Sequence, residues 1–191
     1  MKHRRVLATI AAFVGLVAGG VAAVGPAHAA GGPGQDTQSL APIGYRKIVH
    51  AINGKCADVS GMSTRAGALI HLWKCESSND ANQYWLPSDL GDGTFTLRNL
   101  NSGLCMNVQG QSTRPGTLID QQSCDSRTGE KWHWRIGDTL GHRVLENSLP
   151  SPERFGLCLV ISPYSAVNGA RIVTAECATT DAQFWRFQPD D

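Results

Sequence analysis

The most definite chemistry in this 191-residue sequence belongs to six cysteines that form three pairs of one spacing. Cys56 and Cys75, Cys105 and Cys124, and Cys158 and Cys177 each enclose 18 residues. A zinc site would need Cys and His clustered a few residues apart, and that spacing is absent. An even number of cysteines, all downstream of a targeting segment, implies a disulfide framework in an oxidising compartment rather than thiol catalysis. Each repeat carries its own pair, which predicts Cys56–Cys75, Cys105–Cys124 and Cys158–Cys177. Closing a loop of about twenty residues stabilises a fold by about 3 kcal/mol in the chain-entropy model.

Other catalytic chemistry finds little support. A glycosidase needs two opposed carboxylates at a defined separation. Asp58 has no partner of comparable placement, and Asp89, Asp92 and Glu146 fall in turns or strand ends. No Gly-x-Ser-x-Gly elbow is present, and His50, His71, His133 and His142 lack a recognisable nucleophile beside them. The expectation is a protein that is not an enzyme, with no metal and no cofactor.

The cysteine pairs sit inside a threefold repeat, the signature to seek first in any chain. The first copy reads Cys56-Ala57-Asp58-Val59, then Gly67 to Cys75, then Asn82-Gln83-Tyr84-Trp85. The second opens Cys105-Met106-Asn107-Val108, continues Gly116 to Cys124, and ends Trp132-His133-Trp134. The third opens Cys158-Leu159-Val160-Ile161, continues Gly169 to Cys177, and ends Gln183-Phe184-Trp185. A glycine stands two residues before each first cysteine (Gly54, Gly103, Gly156) and another eleven after it.

Lys2, His3, Arg4 and Arg5, an apolar run over 6–24, and Ala27-His28-Ala29 read as a secretory signal over residues 1–29. Gly25-Pro26 and the small-x-small site favour cleavage over an uncleaved anchor. Residues 30–42 have the composition of a flexible linker, and residues 43–189 form the folded domain. Cleavage would lower Lys+Arg from 17 to 14 against 16 acidic residues, a net charge of −2. Nothing in that charge attracts nucleic acid or an anionic membrane.

From residue 43 onward, turn residues recur every eight to twelve positions, as at Asn53-Gly54, Gly91-Asp92-Gly93 and Arg114-Pro115-Gly116. Runs of β character lie between them, over 46–51, 68–73, 94–98, 117–121, 143–145, 171–174 and 184–187. This pattern predicts an all-β barrel or sandwich. Each unit holds four strands: one before the first cysteine, one at it, one ending at the second cysteine, and one at the closing Trp. Forty residues are too few to bury an apolar face alone. Trp85, Trp134 and Trp185 are therefore expected to meet Leu69, Leu118 and Ile172, with Val59, Val108 and Ile161, in a shared centre.

Three Cys-x18-Cys units, two of them closing on Gln-x-Trp, resemble the ricin B-type lectin domain over nearly all of residues 43–189. The resemblance implies a β-trefoil with one disulfide per unit and up to one shallow sugar pocket per unit. A pyranose offers vicinal hydroxyls on its edge and apolar C–H groups on one face. A carboxylate accepts from the first through charge-assisted hydrogen bonds, and an aromatic ring covers the second. By that resemblance, Asp58 is the carboxylate, Trp73 the stacking ring, Asn82 an amide for a hydroxyl, and Gln83 a brace. His71 stands where the family often has Gln, a departure that can alter preference or add pH sensitivity.

In the second unit Asn107 replaces the carboxylate and Gln122 the indole, while Lys131 and Trp132 are read at the Asn82 and Gln83 positions. Asn107, Gln122 and Trp132 are thus weaker candidates. Val160 and Ala175 leave the third unit as scaffold. The implied function is a secreted lectin for galactose- or xylose-type glycans, working mainly through the first unit. The alternative is a β-trefoil interaction protein with a vestigial sugar site, a protease inhibitor or toxin-like subunit that engages a protein partner.

Overall fold

The computed structural model describes residues 44–188, apart from 79, 140, 141, 153 and 154. The expected signal and linker (1–29 and 30–42) lie outside the described residues. Twelve strands follow in chain order. The first unit contributes β1 (Arg46–His50), β2 (Cys56–Val59), β3 (Ile70–Trp73) and β4 (Tyr84–Asp89). The second contributes β5 (Phe95–Asn99), β6 (Cys105–Val108), β7 (Ile119–Gln122) and β8 (Trp132–Ile136), and the third β9 (Arg143–Asn147), β10 (Leu157–Ser162), β11 (Ala170–Glu176) and β12 (Trp185–Gln188). Short 3-10 turns, among them Ala81–Gln83, Thr128–Glu130 and Asp181–Gln183, precede the closing strands.

Six strands close into a barrel: β1 pairs with β4, β4 with β5, β5 with β8, β8 with β9, β9 with β12, and β12 with β1. Closure leaves no barrel edge open to pairing with another chain. The other six strands form the hairpins β2–β3, β6–β7 and β10–β11. Each hairpin is tied to the next. Gly67 donates its N–H to the Gln121 carbonyl at 2.8 Å, Gly116 to Thr174 at 2.6 Å, and Gly169 to Leu72 at 2.8 Å. These glycines hold φ of 81°, 84° and 84°, in the left-handed region that side chains disfavour. Three hairpins capping a six-stranded barrel make this a β-trefoil.

The core forms where the three units meet. Trp85, Trp132 and Trp185 are essentially without solvent contact. Their indole Nε1 groups donate to the carbonyls of Ala57 (3.1 Å), Met106 (3.2 Å) and Leu159 (3.0 Å), the residue after each first cysteine. Val59, Val108 and Ile161 join them as expected, together with Ile70, Ile119 and Ile172.

Two expectations are corrected. The second unit's core indole is Trp132, not Trp134, which is only half-buried against the cluster. The first unit has two more residues between its second cysteine and its closing Trp than the other two, so counting from Cys75 to Trp85 overshoots in the second. Leu69 and Leu118 lie one residue outside the core: Leu69 is exposed and Leu118 half-buried, while Ile70 and Ile119 point inward. A one-residue slip moves a strand side chain to the opposite face. The disulfides are Cys56–Cys75, Cys105–Cys124 and Cys158–Cys177, with Cα separations of 5.1, 5.0 and 4.9 Å.

Candidate functional site

Alternation along the β2–β3 hairpin sorts its side chains. Ala57, Val59, Ile70 and Leu72 enter the core, and Asp58, His71 and Trp73 share the other face. Asp58 lies directly opposite His71, and Cys56 opposite Trp73. The Cys56–Cys75 bond thus anchors the strand end that carries the indole.

Both oxygens of Asp58 are held. Oδ1 is 3.0 Å from His71 Nε2, and Oδ2 accepts from Gln83 Nε2 at 2.8 Å. A carboxylate has about four lone-pair directions, so two remain for a ligand. The side chain is 8% exposed, and that exposed part lines a cavity of about 410 Å3. His71 stacks on Trp73 with ring centres 5.3 Å apart and planes 15° from parallel. The imidazole is therefore fixed between carboxylate and indole, and all three line the cavity.

The 3-10 turn Ala81–Gln83 supplies the amides. Asn82 commits Nδ2 to the Val59 carbonyl at 3.0 Å and also lines the cavity, which leaves its Oδ1 to meet a hydroxyl. Gln83 is wholly buried and does not face the cavity. Its Nε2 also donates to the Lys74 carbonyl (2.9 Å), and its Oε1 accepts from the Glu76 N–H (2.9 Å). Gln83 therefore positions Asp58 rather than touching a ligand.

Several residues of this site escaped the sequence reading. Gly61, Met62, Glu76 and Ser78 complete the cavity wall. Lys47 on β1, nearly buried, pairs with Asp80 at 2.6 Å, donates to the Glu76 carbonyl, and lies 4.7 Å from the Tyr84 ring centre. It fastens both ends of the loop that delivers Asn82 and Gln83. The signal available in the sequence was the two-residue lengthening of this loop in the first unit alone.

The second unit fills its own pocket. Asn107 opposes Asp120 and donates to its Oδ1 at 2.7 Å, while Gln122 donates to Oδ2 at 2.9 Å. Gln111, at the position of Met62, donates to Asn107 Oδ1 at 2.6 Å and accepts from the Gly129 N–H at 2.7 Å. Gly129, not Lys131, stands at the Asn82 position, and a Cβ there would lie 2.6 Å from Gln111 Nε2. The Gln111 amide thus takes the space in front of Asn107. Trp132 is corrected as a candidate: it is a fully buried core indole and offers no ring to a ligand. Glu130 occupies the Gln83 position, and burial pushes its carboxyl above the usual range. In the third unit Val160 opposes Val173, both buried, and Ala175 stands where the first unit has Trp73.

The comparisons with known proteins agree with this fold. A designed threefold-symmetric protein, ThreeFoil, is 30% identical, with a TM-score of 0.69 over 76% of this chain and 99% of that one. A ricin B-like lectin from Macrolepiota procera, solved in complex with lactose, is 20% identical, with a TM-score of 0.60 over 75% of this chain and 94% of that one. An exo-β-1,3-galactanase from Clostridium thermocellum is 21% identical, with a TM-score of 0.68 over 78% of this chain but only 30% of that one. These last two share the fold. No curated protein sequence matches. The model of the ricin-type β-trefoil lectin domain-like family matches residues 37–122 and 81–149. With its paired half-cystines, its barrel and its hairpin cap in place, the chain belongs to that family.

Proposed function

We propose that this protein is a secreted, non-catalytic lectin that binds galactose- or xylose-type glycans through its first unit. One observation carries the reading: Asp58 keeps lone pairs toward a 410 Å3 cavity that also contains the half-buried indole of Trp73. Vicinal hydroxyls meet the carboxylate and Asn82, and the sugar's C–H face meets the indole surface that His71 leaves open. Lactose in the Macrolepiota lectin supports the galactose class. One shallow pocket implies binding of a monosaccharide on the order of millimolar.

Glu76 is the second carboxylate on the cavity, and the non-catalytic reading holds that the pair does not perform glycoside hydrolysis. Glu76 Oε1 lies 3.3 Å from Lys74 Nζ, and both Asp58 oxygens already accept hydrogen bonds. Hydrolysis needs one carboxyl group that donates a proton. The expected signal segment and the three disulfides support export. Retention on immobilised galactose or on xylan, released by the free sugar, is the expected result. Folded protein that passes through both columns would overturn the reading, and inhibition of a secreted protease by that same protein would favour the interaction-protein alternative.

A further inference from the structure

A second cavity, of about 290 Å3, lies on the barrel away from the hairpin cap of the first unit. It is built from β8, β9 and β12 and is lined by Trp134, His142, Arg143, Trp185, Arg186 and Phe187. Its volume is near the lower end of the ~300–1,000 Å3 range of small-molecule sites. The aromatic floor is rigid. Trp134 and Phe187 meet edge to face at 5.0 Å, and Phe95 braces both from behind at 6.4 and 6.3 Å. His142 stacks on Phe184 at 4.8 Å, and its Nδ1 is held by Asp138 at 2.8 Å.

The electrostatics of this cavity oppose those of the first. Arg143 and Arg186 are both exposed, and neither guanidinium has a carboxylate partner among the described residues. Among the described residues, no acidic side chain lines the cavity. Asp138 is bonded to His142, which lines the cavity. Among the described residues, the Asp58 cavity instead carries two carboxylates and no Lys or Arg on its wall. A guanidinium presents a planar fork that matches a carboxylate or sulfate bidentately, and an indole face takes the apolar side of a sugar ring.

We infer that this cavity is a separate subsite for an acidic sugar: the ring rests on Trp134 and Phe187, its carboxylate or sulfate is held by Arg143, which opposes Trp185 on the same face, and Arg186 adds positive charge at the rim. The first cavity, with its two acids, disfavours the same group. The protein would then grip a neutral residue at one site and an acidic one at the other, on one glycan chain or on two. The subsite stands on its own residues and does not depend on binding at Asp58.

The test is titration of the full chain with galacturonate, galactose 6-sulfate, methyl galactoside and inorganic sulfate at low salt. The readout is the indole N–H resonance of each tryptophan, assigned with Trp134→Phe. The expected result is a shift of the Trp134 signal by both acidic sugars, about tenfold weaker for methyl galactoside and inorganic sulfate, and largely lost at 0.5 M salt because exposed charges are screened. The Arg143→Ser/Arg186→Ser double variant should lose this response, and Asp58→Ala should keep it. A response unchanged in the double arginine variant, equal for inorganic sulfate and sugar sulfate, or abolished by Asp58→Ala would overturn the inference. Absence of any Trp134 shift by either acidic sugar would overturn it as well. Single Arg143→Ser and Arg186→Ser variants, compared with the wild type by near-UV circular dichroism, separate loss of the site from loss of fold.

Discussion

Replacing Glu130 by Gln is expected to stabilise the protein, and the three units themselves supply the reason. In the first unit Gln83 Nε2 donates to the Lys74 carbonyl and its Oε1 accepts from the Glu76 N–H. In the third, Gln183 Nε2 donates to the Glu176 carbonyl at 2.7 Å and its Oε1 accepts from the Ala178 N–H at 2.6 Å. Glu130 reproduces only the accepting half: Oε2 takes the N–H groups of Asp125 (3.1 Å) and Ser126 (2.9 Å). Oε1 is buried without a hydrogen-bond partner, with Arg127 Nε no closer than 3.9 Å. A buried unsatisfied polar atom costs about 1–3 kcal/mol, so Glu130→Gln should raise stability by an amount of that order at pH 7. For a chain of this size each kcal/mol moves the melting temperature by about 2–4 °C. The pH dependence follows from linkage. Burial raises the folded pKa of Glu130 above its ordinary 4.5. Its contribution is therefore fully present below 4.5 and is lost as pH rises through the folded pKa. The advantage of Gln should be largest at neutral pH and should shrink toward pH 4. Urea unfolding at both pH values measures it as a shift in midpoint at constant slope. No gain at pH 7, or a gain undiminished at pH 4, would refute the reasoning.

Two further predictions use the same threefold comparison. His50 takes the place of Asn99 and Asn147, whose amides each donate to two carbonyls of the preceding turn. Buried His50 makes no hydrogen bond of normal geometry through Nε2, although the Asp181 and Ala182 backbone lies close, and burial lowers its pKa below the ordinary 6.5. Its contribution to stability is present above 6.5 and is lost as pH falls toward the depressed folded value. His50→Asn should flatten the stability-against-pH curve below pH 6.5, measured by thermal unfolding; an unchanged slope would contradict this. Removing either Cys56–Cys75 or Cys158–Cys177 as a Ser pair should cost about 2–5 kcal/mol. Only the first removal should also weaken glycan retention, because that bond anchors the strand end bearing Trp73.

Much of this fold is legible in the sequence because the signals that specify it are local and repeated. The Cys-x18-Cys spacing and the glycines eleven residues after each first cysteine mark three hairpins, and both features reappear in the structure as bonds or left-handed turns. The core was misread where two signals competed. Trp132 and Trp134 are both plausible closing indoles, and only the unequal distance from the second cysteine separates them. Arg171, a charged residue at the position shared with Leu69 and Leu118, was the available warning that this position faces outward. The site is legible only in part. Asp58, His71, Trp73 and Asn82 sit at fixed offsets from the cysteines, and the structure gathers them on one cavity. Lys47 and Gln111 act across the tertiary structure, one holding a loop about thirty residues away and the other folding its amide into its unit's pocket. No local pattern announces either role.

The most direct test of the central claim is a glycan array probed with wild type, Asp58→Ala and Asn107→Ala, each first verified as folded by circular dichroism. Binding to galactose- or xylose-terminated glycans should nearly vanish in Asp58→Ala and change little in Asn107→Ala. Equal loss in both variants, or full binding by Asp58→Ala, would contradict the assignment of the first unit as the sugar site.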